Sequence, residues 1–489
     1  MKRIFKWSLP ILLVPFLFSC ATYNNSMNGY YEYVRNHDYA KAVHSIEHNK
    51  LIKKNRNALL YNLEMGRLYF LQNDFTHSNI YLNRADNLMQ TPSKSFSDLA
   101  LGNLLNPMHE AYRGEDFEQF MMHFYKALNY SALGQKDEAV VEARRITLSE
   151  NIQGDKFKNK DYRYSKDAFA LNLQGMIYEM AGDLNNAFIS YRNAAEAYKG
   201  SKYEYYGVSM PQQLRNDLIR TAAAMGFSEE KGRFEKMYNV SNKEGLAAGG
   251  ELILFLEEGY APVKEEKNFL LTAGKNGISS FLCTDGNGYS TDFDFNYTDF
   301  GIDEDKLRDI RTFRVAIPEY RIQYPNSGKI SITANGTGYL SELVHDLNNA
   351  AVNILKERFI TEMANALARQ ITKKLVEKGT QAAAKEIAKE SENKEDKNAV
   401  DAEEEKQKMK KKQHAKEAGE VTGFLMNMVN TATEKADTRN WQSLPAFVSY
   451  VRIPLKPGEN TVSVSVNGQT TSLKVNGNRG LQMKAVTLN

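Results

Sequence analysis

Apolar, small and polar positions follow one order in three stretches of this sequence. The clearest runs from Ala168 to Tyr198, AFALNLQGMIYEMAGDLNNAFISYRNAAEAY. Apolar residues recur at helical spacing on both sides of Ala181-Gly182-Asp183, which predicts two amphipathic helices with a stop and a new N-cap between them. Small residues stand where two helices must cross closely: Gly175 in the first half, Ala187 and Ala194 in the second. Leu171, Tyr178 and Tyr191 are the large fillers between them. Ala58 to Met89 repeats this order, with Gly66 for Gly175, Tyr69 for Tyr178, Ser78 for Ala187 and Ala85 for Ala194. A third copy, Phe120 to Ile146, keeps Ala127, Tyr130, Gly134 and Ala139 in register. Tyr30 to Leu51, with Tyr39 and Ala42, reads as a degenerate opening unit, and Pro211 to Tyr238 as a closing helical pair.

This order resembles the tetratricopeptide (TPR) repeat of about 34 residues, and three units are about the minimum for a stable solenoid with atypical ends. The resemblance implies a groove for another protein and no reaction chemistry. Polar residues on first helices, Asn62, Arg67, Asn129 and Asn172, are the partner-binding candidates.

The period changes at Gly249-Gly250. Glu251 to Glu257 is a short apolar run, and a turn at Glu258-Gly259 leads to a second strand over Tyr260 to Lys264. Further strands are predicted at Gly277 to Cys283, Asp292 to Tyr297, Thr312 to Ile317, Tyr320 to Tyr324 and Lys329 to Ala334, separated by turn signals such as Asn335-Gly336. Helical spacing returns from Ser341 to Val376. Gly379 to Glu420 is rich in Lys, Glu and Ala, the composition of a solvated helix or a disordered tether. Val421 to Ala436 is apolar enough to pack on the preceding helix. Strands close the chain at Phe447 to Pro454, Asn460 to Val466 and Ser472 to Val475. The fold expected is α+β and multidomain: a TPR-like α-solenoid over 20–245, then a β-sandwich-like region over 246–340 and 437–489, interrupted by a helical insertion over 341–436. Two separate small β units are the alternative.

Hydrophobic content of 42% and charged content of 25% in 489 residues are globular values. The N-terminus stands apart. Lys2, Arg3 and Lys6 precede an apolar run from Leu9 to Phe18, too short to span a bilayer, and Leu17-Phe18-Ser19-Cys20 resembles a bacterial lipobox. The resemblance implies a signal peptide over 1–19 and acylation of Cys20, with the membrane reached through that lipid. Phe18 departs from the usual small residue. The three basic residues of the leader account for the whole formal charge of +3, and a neutral mature chain lacks the basic footprint of a nucleic-acid binder. Ala21 to Asn25 carries no Asp at the second position and no acidic cluster, which by analogy implies the outer membrane, facing the periplasm. With Cys20 acylated, Cys283 is the one thiol left, and in its apolar strand it reads as a small buried hydrophobe.

Candidate chemistry is sparse. His44-Ser45-Ile46-Glu47-His48 resembles the inverted zincin motif, with both imidazoles on one helical face, but no partner glutamate stands on a matching helix. Asp292, Asp294 and Asn296 match the first places of a calcium loop, yet Tyr297 stands where Gly is needed and Asp303 replaces Glu. No catalytic residues, metal or cofactor are assigned. Tyr289, Phe293, Phe295 and Tyr297 would stack on sugars if they pointed outward, which makes a glycan-binding or glycan-acting protein the alternative function.

Four stretches carry a wider resemblance: Tyr112-Arg113-Gly114-Glu115-Asp116-Phe117 leading into HFYKALNYSALGQKDEAVVEARRI; the repeat at 168–198; Gly259-Tyr260-Ala261-Pro262-Val263-Lys264; and Ala436-Asp437-Thr438-Arg439-Asn440-Trp441 before Leu444-Pro445. In this order they resemble a family of uncharacterised bacterial TPR-containing lipoproteins, some encoded near lipoprotein activators of penicillin-binding proteins. The resemblance implies an outer-membrane lipoprotein that serves as a non-enzymatic adaptor in cell-wall or outer-membrane assembly, bound to envelope proteins through its TPR groove.

Overall fold

The computed structural model describes residues 23–90, 107–156, 167–200, 204–241, 247–274, 277–285, 290–295, 298, 312–325, 328–395, 435–478 and 480–488. Its architecture is α+β. Cys20, Tyr289, Asn296, Tyr297 and Asp303 lie outside the described residues, as do residues 396–434, which hold most of the charged segment expected over 379–420 and most of the apolar stretch from Val421 to Ala436.

The first half consists of helical hairpins. They are α1 (Tyr23–Arg35) with α2 (Tyr39–His48), α3 (Ala58–Leu71) with α4 (Phe75–Gln90), α5 (Asp116–Ala132) with α6 (Lys136–Lys156), α7 (Ala168–Ala181) with α8 (Leu184–Gly200), and α9 (Gln212–Ala224) with α10 (Ser228–Tyr238). Every hairpin turns on a residue of positive φ: His37, Asn73, Gly134, Gly182 and Gly226. Where an aspartate follows that residue it caps the next helix: Asp38 accepts from the Lys41 amide, Asp74 from His77 and Asp183 from Asn186. The small positions do what their order predicts. A Cβ on Gly175 would enter the Tyr191 ring, and a Cβ on Gly66 would enter Leu82, which holds the same place in its own hairpin.

Between α8 and α9 a two-stranded hairpin intervenes, β1 (Glu204–Tyr205) with β2 (Val208–Ser209). The remaining strands form three four-stranded sheets. The central sheet has the order β10 (Glu342–Asp346), β11 (Phe447–Pro454), β3 (Glu251–Glu258), β14 (Leu481–Leu488). Its strands are antiparallel except for the parallel pair β3–β14. Strand β3 is apolar without alternation because both of its faces are covered. Ile253 and Phe255 join the core of the helical hairpins. Leu252, Leu254 and Leu256 join Ile332, Val462, Val464 and Val475 of a second sheet, ordered β13 (Gln469–Gly477), β12 (Gly458–Val466), β8 (Ser331–Ala334), β9 (Thr337–Tyr339). The third sheet, β6 (Ser290–Asp294), β5 (Gly277–Asp285), β4 (Val263–Gly274), β7 (Thr312–Arg321), lays Phe269, Leu271, Phe281, Cys283 and Phe313 on helix α11 (Leu347–Glu395) at Met363, Leu367 and Ile371.

Strands β10 and β11 are direct neighbours although α11 lies between them in sequence. Strands before and after the helical insertion therefore share the central and second sheets, while the third sheet, built only of strands before it, packs on α11 with a core of its own. Helical spacing was expected from Ser341, but Glu342–Asp346 is a strand and α11 starts at Leu347. Its edge pairing with β11 outweighs an ambiguous local period. The two strands expected over Thr312–Ile317 and Tyr320–Tyr324 are one continuous strand, β7, in which Pro318 stands opposite Glu266 on the sheet's edge strand. Strand β14 and the second half of β4 are strands that the alternation did not disclose.

Candidate functional site

The first helices of the hairpins, α1, α3, α5, α7 and α9, turn an inner face toward the central sheet and toward the segment that enters β11. That segment, Ala436 to Ala446, irregular with a turn at Gln442-Ser443, lies on the inner face and is called the strap below. Its backbone is held by two buried carboxylates one hairpin apart. Glu118 Oε1 on α5 accepts the Trp441 amide at 2.6 Å, and Glu64 Oε1 on α3 accepts the Gln442 amide at 3.2 Å. Ser443 Oγ donates to Glu64 Oε2 at 2.5 Å, and Arg67 Nε to the Ser443 carbonyl at 3.3 Å. The Trp441 indole is fully buried, edge-on to Tyr125 at 5.9 Å.

Farther along the array the sheet itself is gripped. Arg67 Nη2 meets Glu257 of β3 at 2.8 Å, and Tyr125 donates to the same carboxylate at 2.6 Å. Arg452 of β11 spans Glu179 on α7 (2.6 Å) and Asp217 on α9 (2.9 Å), and also contacts Glu251. Asn129 donates to Ser78 Oγ and Asn79 Oδ1, joining neighbouring hairpins. Asn62 donates to the carbonyl one turn back, and Asn172 is buried. The four partner-binding candidates, Asn62, Arg67, Asn129 and Asn172, are thus buried within the chain, and Arg67 serves the chain's own β region. The inner face that Arg67 shares already carries the strap and the central sheet.

Both strap-holding carboxylates are perturbed. Burial pushes Glu118 up to about 8, helped by the charge of Glu115, against hydrogen bonds from the Trp441 and Glu115 amides and Tyr112. Burial raises Glu64 to about 7, opposed by Ser443, Tyr31, Tyr30 and the Gln442 amide. Glu115 goes the other way. Burial would raise it, but Lys264 and Arg358 pull it down to about 2. Glu115 and Glu118 form a capping box at the start of α5. Two carboxylates pushed apart are a common sign of acid–base chemistry. Here both Glu118 oxygens already take the Tyr112 hydroxyl and a backbone amide each, so no open face remains for a substrate.

At the edge of the strap a cavity of about 240 Å³ opens between the start of α5, β4, β7, α11 and the strap. Three stretches quoted above for the family resemblance meet there: Tyr112 to Glu115, Lys264, and Ala436, Asp437 and Arg439. Arg439 is fully engaged, bidentate to Asp437, on the Asn57 side chain, on two carbonyls, and over the Tyr112 ring at 5.2 Å. Lys264 Nζ bonds Glu115 Oε1, and Arg358 Nη2 meets Glu115 Oε2 at 2.7 Å.

The other sequence candidates lie apart. His44, Glu47 and His48 are exposed on α2, with the two imidazoles stacked at 4.1 Å. Phe293 and Phe295 are core residues of the third sheet rather than outward stacking surfaces. Asp292 and Asp294 are exposed on β6. Cys283 is buried, and burial pushes its thiol up to about 11. Among the described residues one set of three metal-ligating groups comes together, Asp86, His123 and Glu142. Its centre is taken by Lys126 Nζ, 2.6 Å from Asp86 and 3.0 Å from Glu142, so a cation already neutralises it. Among the described residues no helix is long and apolar enough to cross a membrane.

No family model and no curated protein matches the chain. Two solved structures, described as crystal structures of MamA protein and of MamA, are 11% and 12% identical. They cover 45% and 42% of this chain and 96% and 89% of their own, each at a TM-score of 0.26. That likeness is too small to argue from.

The sequence pointed to the inner face but not to its occupant. Glu64 stands between Leu63 and Met65 in a mostly apolar helix, and Glu118 closes an E-x-x-E box; both are signals of a polar group with a buried task. Trp441, one of two tryptophans, marks the strap.

Proposed function

We propose that the chain is a lipid-anchored, non-enzymatic interaction scaffold of the bacterial cell envelope, attached through Cys20 to the outer membrane and facing the periplasm. Its helical repeats hold the protein's own strap and central sheet, and partners meet the outer flank instead of the groove. The observation that carries this reading is the seating of the strap: successive first helices bind the backbone amides of a segment distant in sequence, as an interaction module does, and the groove is filled. The flank of the first hairpins offers a different surface. Tyr69 stacks on Tyr81 at 5.4 Å and on His77 at 5.3 Å, with Tyr61 edge-on to Tyr81, and half-exposed aromatic clusters of this sort are favoured at interfaces.

The test is crosslinking of the acylated protein in its native envelope, followed by capture and mass spectrometry. The wild type should bring down a stoichiometric set of cell-wall or outer-membrane assembly proteins, and a Tyr69→Ala/Tyr81→Ala variant should lose it while keeping its fold. Recovery of no envelope protein, or an unchanged set with the double variant, would reject the reading.

A further inference from the structure

Strand β14 is the outermost strand of the central sheet and β13 that of the second sheet; among the described residues neither has a strand beyond it. A cavity of about 260 Å³ lies where these two strands come together. The tips of the first two hairpins and the end of α5, at Ala132, form its other walls. Strand β14 contributes Met483 to Thr487 to the lining without a gap. Successive side chains of a strand point to opposite faces, so a cavity that touches five in a row runs along the strand's open edge.

That edge is open to pairing. At its start Ser131 of α5 donates to the Met483 carbonyl at 3.5 Å. Beyond this point, among the described residues, the backbone of Lys484 to Thr487 has no partner outside its own sheet. Lys484, Ala485 and Thr487 are half-exposed. The opposite edge of the sheet is covered: β10 lies against β2, and its Glu342 accepts the Gln212 and Gln213 amides at the start of α9. An open strand edge is a template for another strand, held by backbone hydrogen bonds and selected by pockets for alternate side chains.

The lining gives the added strand its character. Phe70, Leu128 and Leu473 make apolar walls, Lys484 stands among them, and no carboxylate lines the cavity. Asp38 and Asp74 adjoin lining residues but are engaged by Lys41 and His77. Among the described residues Lys484 makes no ion pair. A second copy of this chain, paired edge to edge about a two-fold axis at the middle of β14, would bring two Lys484 side chains close together. A strand that carries an acid is attracted where that copy is repelled.

We propose that the open edge of β14 docks an extended peptide segment of another protein. The segment adds a strand to the central sheet, seats an apolar side chain in the cavity and sets an acidic one against Lys484. The site stands apart from the aromatic flank of Tyr69 and Tyr81, and neither reading needs the other.

The test pans a displayed library of random peptides, each of about ten residues, against the full chain. Selected sequences, made as free peptides, should bind with a Kd below about 100 μM and combine an acid with strand-forming residues. On binding, amide hydrogen exchange should slow about tenfold or more across Leu481–Leu488. Lys484→Glu should weaken a selected peptide about tenfold, and the same peptide with lysine in place of its acid should bind this variant again. Ala132→Trp, at an exposed position, fills the cavity mouth and should abolish binding while the melting temperature holds. No selected binder, binders untouched by both variants, or exchange that slows elsewhere and not at β14 would overturn the assignment. So would a dimer in sedimentation whose β14 amides are protected without peptide, since the edge would then belong to a second copy.

Discussion

The strap seat and the edge cavity meet on one helical turn, yet they treat a buried glutamate in opposite ways. In the seat, Glu118 is surrounded by neutral donors and, among the described residues, pairs with no cation, so burial and the Glu115 charge raise it to about 8 and it stays protonated near neutrality. Three residues earlier, Glu115 meets Lys264 and Arg358 and is held at about 2. The residue type is the same, and the sheet and helix brought against it decide the charge. The seat is closed, with its oxygens used by neutral donors, while at the cavity's edge Glu115 is shared by two cations. A fully satisfied polar network specifies one arrangement of the chain.

Replacing one carboxylate at a time should break this symmetry most sharply. Glu115→Gln leaves Lys264 and Arg358 buried without their anion, and a broken buried pair costs about 3–5 kcal/mol. Glu118→Gln keeps an oxygen for the Trp441 amide and removes no charge that a cation needs, so its loss should be about 1 kcal/mol. Denaturant unfolding of both variants measures the difference. Equal losses would mean that the two glutamates are not held as described.

The pH profile carries the same contrast with opposite signs. Glu115, with its folded value near 2 against an ordinary 4.5, contributes stability that is present above about 4.5 and is lost as the pH falls toward 2. Glu118 and Glu64, raised to about 8 and about 7, stay protonated in the folded chain where the unfolded chain has already ionised. Their contribution is full below about 4.5 and is lost as the pH rises through 7 to 8. The melting temperature should therefore peak near pH 5 and fall by roughly 5 °C or more by pH 8.5. The double variant Glu64→Gln/Glu118→Gln should flatten the alkaline limb alone; an unchanged limb would assign it to other groups.

A smaller effect separates two kinds of glycine in the repeats. Gly175 lies under the Tyr191 ring, so Gly175→Ala should cost about 1–3 kcal/mol by overpacking. Gly134 has φ +74° and open space around its Cα. Asn73 holds the equivalent turn with φ 58°, so Gly134→Asn should change stability by less than about 0.5 kcal/mol. Chemical denaturation compares the two directly, and a larger loss at Gly134 would mean that its turn has a task beyond geometry.

How much could be read beforehand follows from the range of the interactions. The hairpins were legible because helix crossing is local: Gly66 meets Leu82 and Gly175 meets Tyr191 within about twenty residues of chain. The apolar run of β3 was legible because burial on both faces removes alternation. The strap seat was not, since Glu118 meets Trp441 and Glu64 meets Gln442 across more than 300 residues of chain. Nor was β14, whose alternation breaks phase at Ala485-Val486 and whose parallel partner β3 is far off in sequence. The four polar groove candidates lie on first helices and are buried within the chain, Arg67 against its own strap and sheet. A first-helix side chain facing inward looks the same in sequence whether a partner or the chain's own sheet lies against it.

The smallest expected effect concerns His44 and His48, where the motif and the fold disagree. A zinc site needs three protein ligands converging from fixed positions. On α2 the two imidazoles face solvent and stack on each other, His48 Nδ1 lies 2.8 Å from the His44 carbonyl, and among the described residues no third ligand closes on them. Asp86, His123 and Glu142 do converge, but around Lys126. Exposed helix positions of this kind tolerate substitution within about 0.5 kcal/mol, so His44→Ala/His48→Ala should leave both the melting temperature and the crosslinked partner set unchanged. Lys126→Met makes the complementary test, since it removes the cation at the centre of the buried triad. Zinc content measured after purification should stay below stoichiometric in the wild type and in the histidine pair variant. Stoichiometric zinc that disappears with the pair would move the chemistry of this protein from its inner face to its first hairpin.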